Sequence, residues 1–197
     1  MNTKKNVFLW ALYDFANSIV SIVFFLYIAQ LLVVDMDMPD MYYNLAFTVS
    51  ALLLLCTAPL FGMYLDTRIR RITGLRYTTG ITVCLYMLCS YYAIQGNGFG
   101  TLVTFTFGLY TYLLSFTSYS PLISDISSDT NRGFVSGLGI ASNYTGQFVG
   151  LLIALPFSNG TISFFGSNPR AETLLPSVIA FCVLALPMLI WFKEPKI

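Results

Sequence analysis

Histidine is absent from this 197-residue chain. Its absence removes the commonest general base, the commonest metal ligand and the side chain that switches charge near neutral pH. Charge of either sign is also scarce. Asp, Glu, Lys and Arg make up 10% of the residues, against about 25% in a soluble domain. So few charges cannot coat a water-facing globule of this size. The net charge of +1 leaves no basic footprint for a nucleic acid. Cysteine is sparse as well. Cys56, Cys84, Cys89 and Cys182 all fall in apolar runs without CxxC spacing, which excludes a disulfide framework or a zinc site and suits small apolar packing residues.

What is abundant is apolar: 56% of the residues are hydrophobic and the mean hydropathy is +0.72. Lipid is the solvent that satisfies both the shortage of charge and this surplus. A helix rises about 1.5 Å per residue, so about 20 residues cross the hydrocarbon core. Six stretches of that order are read, at 7–34, 43–65, 74–94, 100–123, 133–157 and 173–192, separated by charged or turn-rich breaks. Beta-barrel strands alternate apolar and polar residues over about ten positions; these runs do not. The expectation is an all-α membrane protein, a single six-helix bundle over residues 1–197. The first run is too long for a signal peptide and contains Asp14 and Asn17, so it is read as a retained helix.

Orientation follows from the basic residues. With both ends in the cytoplasm, Lys4, Lys5, Arg68, Arg70, Arg71, Arg76, Arg132, Lys193 and Lys196 fall inside, and only Arg170 falls outside. A wrong span count would scramble that pattern. The outer breaks are acidic or neutral, with Asp35, Asp37, Asp40 and Glu172.

Polar residues within the spans are the candidate functional groups. Asp14, Asn17, Ser18 and Ser21 are spaced i, i+3, i+4 and i+7, a polar stripe on one helix face. An intramembrane charge costs about 2.5–3.5 kcal/mol near the bilayer centre, so Asp14 is expected to face a cavity or a partner helix. The fifth span carries Asn143 and Gln147 one turn apart, for which substrate-side and structural readings stand equal. The same span carries Gly139, Gly146 and Gly150, small residues that let helices approach closely. Enzymatic readings fare worse. An intramembrane serine protease needs a histidine base, and an aspartyl protease needs two carboxylates at one depth. Asp14 has no such companion in its span. The expectation is a non-enzyme with no cofactor and no metal.

Three motifs carry a resemblance. Gly62-Met-Tyr-Leu-Asp66-Thr-Arg68-Ile-Arg70-Arg71 resembles the loop between helices 2 and 3 of the major facilitator superfamily, Gly-x-x-x-Asp-(Arg/Lys)-x-Gly-(Arg/Lys)-(Arg/Lys). Gly62, Asp66, Arg70 and Arg71 match, whereas Thr67 and Ile69 depart from it. Trp10-Ala-Leu-Tyr-Asp14-Phe-Ala-Asn17-Ser18 is similar to the opening of the autophagy-related vacuolar amino-acid effluxer-like branch and its bacterial relatives. Tyr119-Ser-Pro-Leu-Ile-Ser-Asp125 and Tyr144-Thr-Gly146 resemble the same branch imperfectly, and Pro121 is expected to end or kink the fourth helix.

The resemblance implies the N-terminal six-helix half of a secondary transporter, built as a 3+3 inverted repeat. It implies that Asp14, Asn17, Ser21, Tyr110 and Tyr112 line a path for solute or protons. It also implies that Asp66, partnered by Arg70, works a conformational latch. The implied solute is an amino acid or another small polar molecule, and the implied setting is a bacterial cytoplasmic membrane. A second six-helix bundle, from another copy or a separate chain, is the expected partner besides lipid. A transport-inactive interaction or scaffold protein derived from such a half is the alternative.

Overall fold

In the computed structural model, which describes residues 3–194, every regular element is helical. The helices are α1 (Thr3–Gln30), α2 (Asp40–Thr67), α3 (Arg71–Ile94), α4 (Gly98–Tyr119), α5 (Leu122–Ile126), α6 (Arg132–Ser158), α7 (Pro169–Glu172) and α8 (Leu174–Trp191). Five long helical stretches, those containing α1, α2, α4, α6 and α8, are long and apolar enough to cross a membrane. The chain is a multi-pass membrane protein by this architecture. The sixth long helix, α3, has comparable length at 24 residues. It is less apolar because Arg71, Arg76, Thr73, Thr78, Thr79 and Thr82 lie within it.

The six expected spans correspond to the six long helices, with shifted ends. The first runs on past Gln30 as a π-helical turn, Leu31–Asp35. The fourth stops at Tyr119, and the short α5 begins after Ser120 and Pro121, as expected where a proline lacks a backbone donor. The sixth corresponds to α8, and the short α7 precedes it with Thr173 between the two.

Helix α1 is the central post. Tyr13, Ala16, Ile19, Val20, Val23, Phe24 and Ile28 are wholly buried along it, with α6 and α8 as its principal neighbours. Helix α3 packs along α4, which also carries α2 on another side. Where lipid tails are as apolar as the side chains, hydrophobic burial gives helices little reason to pair, so packing and interhelical hydrogen bonds decide. Such bonds recur here. Tyr13 Oη lies 2.7 Å from Thr79 Oγ1, joining α1 to α3. The Thr82 hydroxyl donates to Thr111 at 2.9 Å, joining α3 to α4. Ser50 donates to the Thr106 carbonyl at 2.8 Å, joining α2 to α4. Tyr43 donates to the Phe25 carbonyl at 2.8 Å, joining α2 to α1.

Close backbone approach sets the α1–α6 crossing. A Cβ on Gly146 would strike the Phe15 carbonyl oxygen, and one on Gly150 would lie 2.8 Å from the Ile19 carbonyl. Both glycines therefore permit a contact that no side chain allows.

Both described ends of the chain lie at one end of the bundle, where the Asn6 amide donates to the Lys193 carbonyl at 3.0 Å. Lys4, Lys5, Arg68, Arg70, Arg71, Arg76, Arg132 and Lys193 belong to the helix ends and turns gathered there. Lys196 lies outside the described residues. Arg170 sits at the opposite end, bonded to Asp35.

Candidate functional site: a cavity beside Asp14

The first turns of α1 place Trp10 and Asp14 one above the other, four residues apart. Against them comes α6, and Gly139 is the reason it can. A Cβ there would meet the Trp10 ring at 2.7 Å and lie 3.7 Å from Asp14 Oδ2. The missing side chain thus seats the indole and leaves the carboxylate facing α6. Asn143 follows one turn later on the same helix.

A cavity of about 510 Å³ opens here, lined by Trp10, Asp14, Tyr119, Ser136, Asn143 and Tyr144 among others. Its rim is built by stacking. The Trp10 and Tyr119 rings lie parallel with centroids 5.1 Å apart, and the Tyr119 hydroxyl donates to the Trp10 carbonyl at 3.0 Å. Asp14 is the one carboxylate among its lining residues, which include no basic side chain.

The other candidates sit elsewhere. Asn17 and Ser21 are buried deeper along α1. Ser21 donates to the Ser18 carbonyl at 3.2 Å. Asn17 is 1% exposed, and neither its amide nitrogen nor its oxygen has a hydrogen-bond partner in the protein. Tyr112 belongs to an aromatic cluster with Phe25, Tyr86 and Phe116. Tyr110 donates to Thr57 at 2.9 Å and ties α4 to α2. Gln147 donates to Asn143 Oδ1 at 2.8 Å, so it orients the amide that lines the cavity. Of the seven pathway candidates, then, Asp14 and Asn143 meet at one cavity, with Gln147 behind Asn143.

The second cluster surrounds the turn from α2 to α3. Gly62 passes Thr117 of α4, with 3.6 Å from its would-be Cβ to the nearest methyl. Arg71 Nη2 bonds Asp66 Oδ1 at 3.0 Å, while its Nη1 lies 3.9 Å from Asp125 Oδ2 in α5. The expectation that Arg70 partners Asp66 is corrected: Arg70 occupies the extended position before α3 and is exposed. Starting the helix at Arg71 turns that guanidinium, rather than its neighbour's, toward α2.

Glu194 closes the cluster. Its two carboxylate oxygens accept the backbone N–H groups of Arg71 and Ile72 at 3.3 and 3.1 Å. These are free donors at a helix start, where a carboxylate also meets the positive end of the helix dipole. Arg76 adds a bond of 2.6 Å to the Leu189 carbonyl. Sequence reasoning missed Glu194, and nothing local marks a residue over a hundred positions from the helix it caps. It also missed Trp10, Tyr119 and Tyr144 as cavity walls, although each lies in a motif it singled out. Among the described residues, no three His, Cys, Asp or Glu side chains are grouped to hold a metal ion.

Compared with family models, curated proteins and solved structures, the chain matches none.

Proposed function

We propose that this chain is one six-helix half of a secondary transporter that moves a small polar solute, of amino-acid type, by alternating access. The observation that carries the reading is the Asp14 cavity. A carboxylate some 11 residues into a spanning helix, roughly 16 Å along it, opens onto a mixed polar and apolar space shared with Asn143 of α6. A buried charge in lipid is retained where it faces a cavity or pathway. In this reading Asp14 and Asn143 contact solute or a coupling proton, Gln147 orients Asn143, and Asn17 and Ser21 extend the path deeper along α1.

The resemblance of the Trp10–Ser18 and Gly62–Arg71 motifs to the major facilitator superfamily supports the same reading. It implies a 3+3 inverted repeat, in which α3 also crosses the membrane. Gathering of the basic side chains at the terminal end favours a cytoplasmic face there, in a bacterial cytoplasmic membrane. The latch is Asp66 with Arg71, which bridges to Asp125 and is pinned by Glu194. The facing wall of the pathway comes from a second six-helix bundle, supplied by another copy or a separate chain.

Reconstitution tests this. Proteoliposomes holding the chain, alone and with its bundle partner, are expected to exchange labelled amino acids or related polar solutes. Asp14→Asn is expected to cut that flux by at least about tenfold, the scale of losing one charge-assisted contact, while the folded bundle survives. Flux equal to the unsubstituted protein would remove Asp14 from the pathway.

One observation favours a second reading, helix association without transport. Gly133, Gly137, Ala141 and Thr145 form an exposed line of small residues on α6, and nothing lies within 4 Å of a Cβ built on either glycine. Such a line suits close packing of another membrane helix. A stable complex that forms without any solute flux would support this alternative.

A further inference from the structure

The connection from α6 to α7 turns two phenyl rings away from the protein. Phe164 and Phe165 are 67% and 57% exposed, and Ile162 beside them is 41% exposed. The backbone beneath them is held firmly. Glu172, itself 2% exposed, accepts the N–H groups of Phe164 at 2.6 Å, Phe165 at 3.3 Å and Ser167 at 2.9 Å. It also accepts the hydroxyls of Ser163 at 2.8 Å and Ser167 at 3.2 Å. Gly166 closes the turn at φ 63°, in the left-handed region that suits glycine.

One buried carboxylate thus gathers donors from Ser163, Phe164, Phe165 and Ser167 and fixes the phenyl rings outward. A loop free to collapse would bury two phenyl rings, each a large apolar payload. The segment from Asn159 to Pro169 contains no charged residue, so moving it toward lipid desolvates no ion. The Phe164 ring is anchored on the buried Phe157 of α6, with centroids 5.3 Å apart, and the last turns of α6 also expose Leu151, Leu152 and Leu155.

We propose that this loop is a membrane anchor: Phe164 and Phe165 lie in the interfacial layer of the bilayer, at the end opposite the termini, and Glu172 positions them there. A phenyl ring has no polar edge and gains by leaving water for the headgroup and acyl-chain boundary, while the loop backbone, already bonded to Glu172, stays on the polar side. The inference requires only that the helices span a bilayer, so it stands apart from any solute being moved.

Photocrosslinking in lipid nanodiscs of phosphatidylcholine and phosphatidylglycerol tests it. p-Benzoylphenylalanine replaces Phe164 or Phe165, with Val183 on the exposed face of α8 as lipid-facing reference and Asp129 as water-facing reference. After illumination, intact mass is expected to show phospholipid adducts at 164 and 165 with yields within about twofold of position 183 and well above position 129, as follows from burial of apolar side chains at the headgroup and acyl-chain boundary. Yields equal to those at position 129, or adducts to a co-purified polypeptide in place of lipid, overturn the anchor. In the Glu172→Gln background the yield at 164 is expected to fall while that at 183 is unchanged. An unchanged yield at 164 overturns the role of Glu172, and the signal at 183 reports that the bundle is folded.

Discussion

Asn17 shows how much a single side chain can cost a bundle of this kind. Its amide is buried with neither polar atom bonded to the protein, and an unsatisfied buried amide costs about 1–3 kcal/mol by mutational scales. Leucine is close to it in size and has no such penalty. Asn17→Leu is therefore expected to raise the thermal midpoint in detergent while lowering solute flux, the opposed changes expected of a residue kept for function. A lower midpoint with unchanged flux would make Asn17 a packing residue. The sequence exposed this position because an amide and a carboxylate three residues apart in an apolar run are conspicuous. It did not separate Asn17, inside the core, from Asp14, at a cavity, because helical spacing puts both on one face.

At the scale of elements, α1 and α6 are held together by what α6 lacks. The contact opposite Gly146 is backbone, which cannot swing aside. Overpacking of this kind costs about 1–3 kcal/mol. Gly146→Ala is expected to destabilise the bundle by that order, read as a lowered midpoint or loss of monodisperse protein. Gly137→Ala, on the same helix with open space around it, is expected to be neutral or slightly stabilising, because alanine is the better helix former by about 1 kcal/mol. Equal effects at both positions would show that helix propensity rather than the α1 crossing governs α6. The small-residue spacing of Gly146 and Gly150 was legible as a packing face. Its partner helix was not, since spacing carries no information about what lies across it. Pro121 was legible for a local reason, and α4 ends two residues before it.

For the whole molecule, the charge asymmetry predicts sidedness. Single cysteines near Arg70 and near Asp37, in a background without native thiols, are expected to react with a membrane-impermeant maleimide from opposite faces of sealed vesicles. Labelling of both from one face would break the arrangement of spans. Composition and hydropathy by themselves determined the solvent, the number of long helices and, within a few residues, where each begins and ends. They could do so because lipid exposure, helix length and proline breaks are properties of consecutive residues. Only the tertiary structure decided that Trp10, Asp14 and Asn143 share a cavity, that Arg71 rather than Arg70 reaches Asp66, and that Glu194 and Glu172 close a helix start and a loop. Those facts depend on the rotation and crossing of helices, which are set by contacts between residues far apart along the chain.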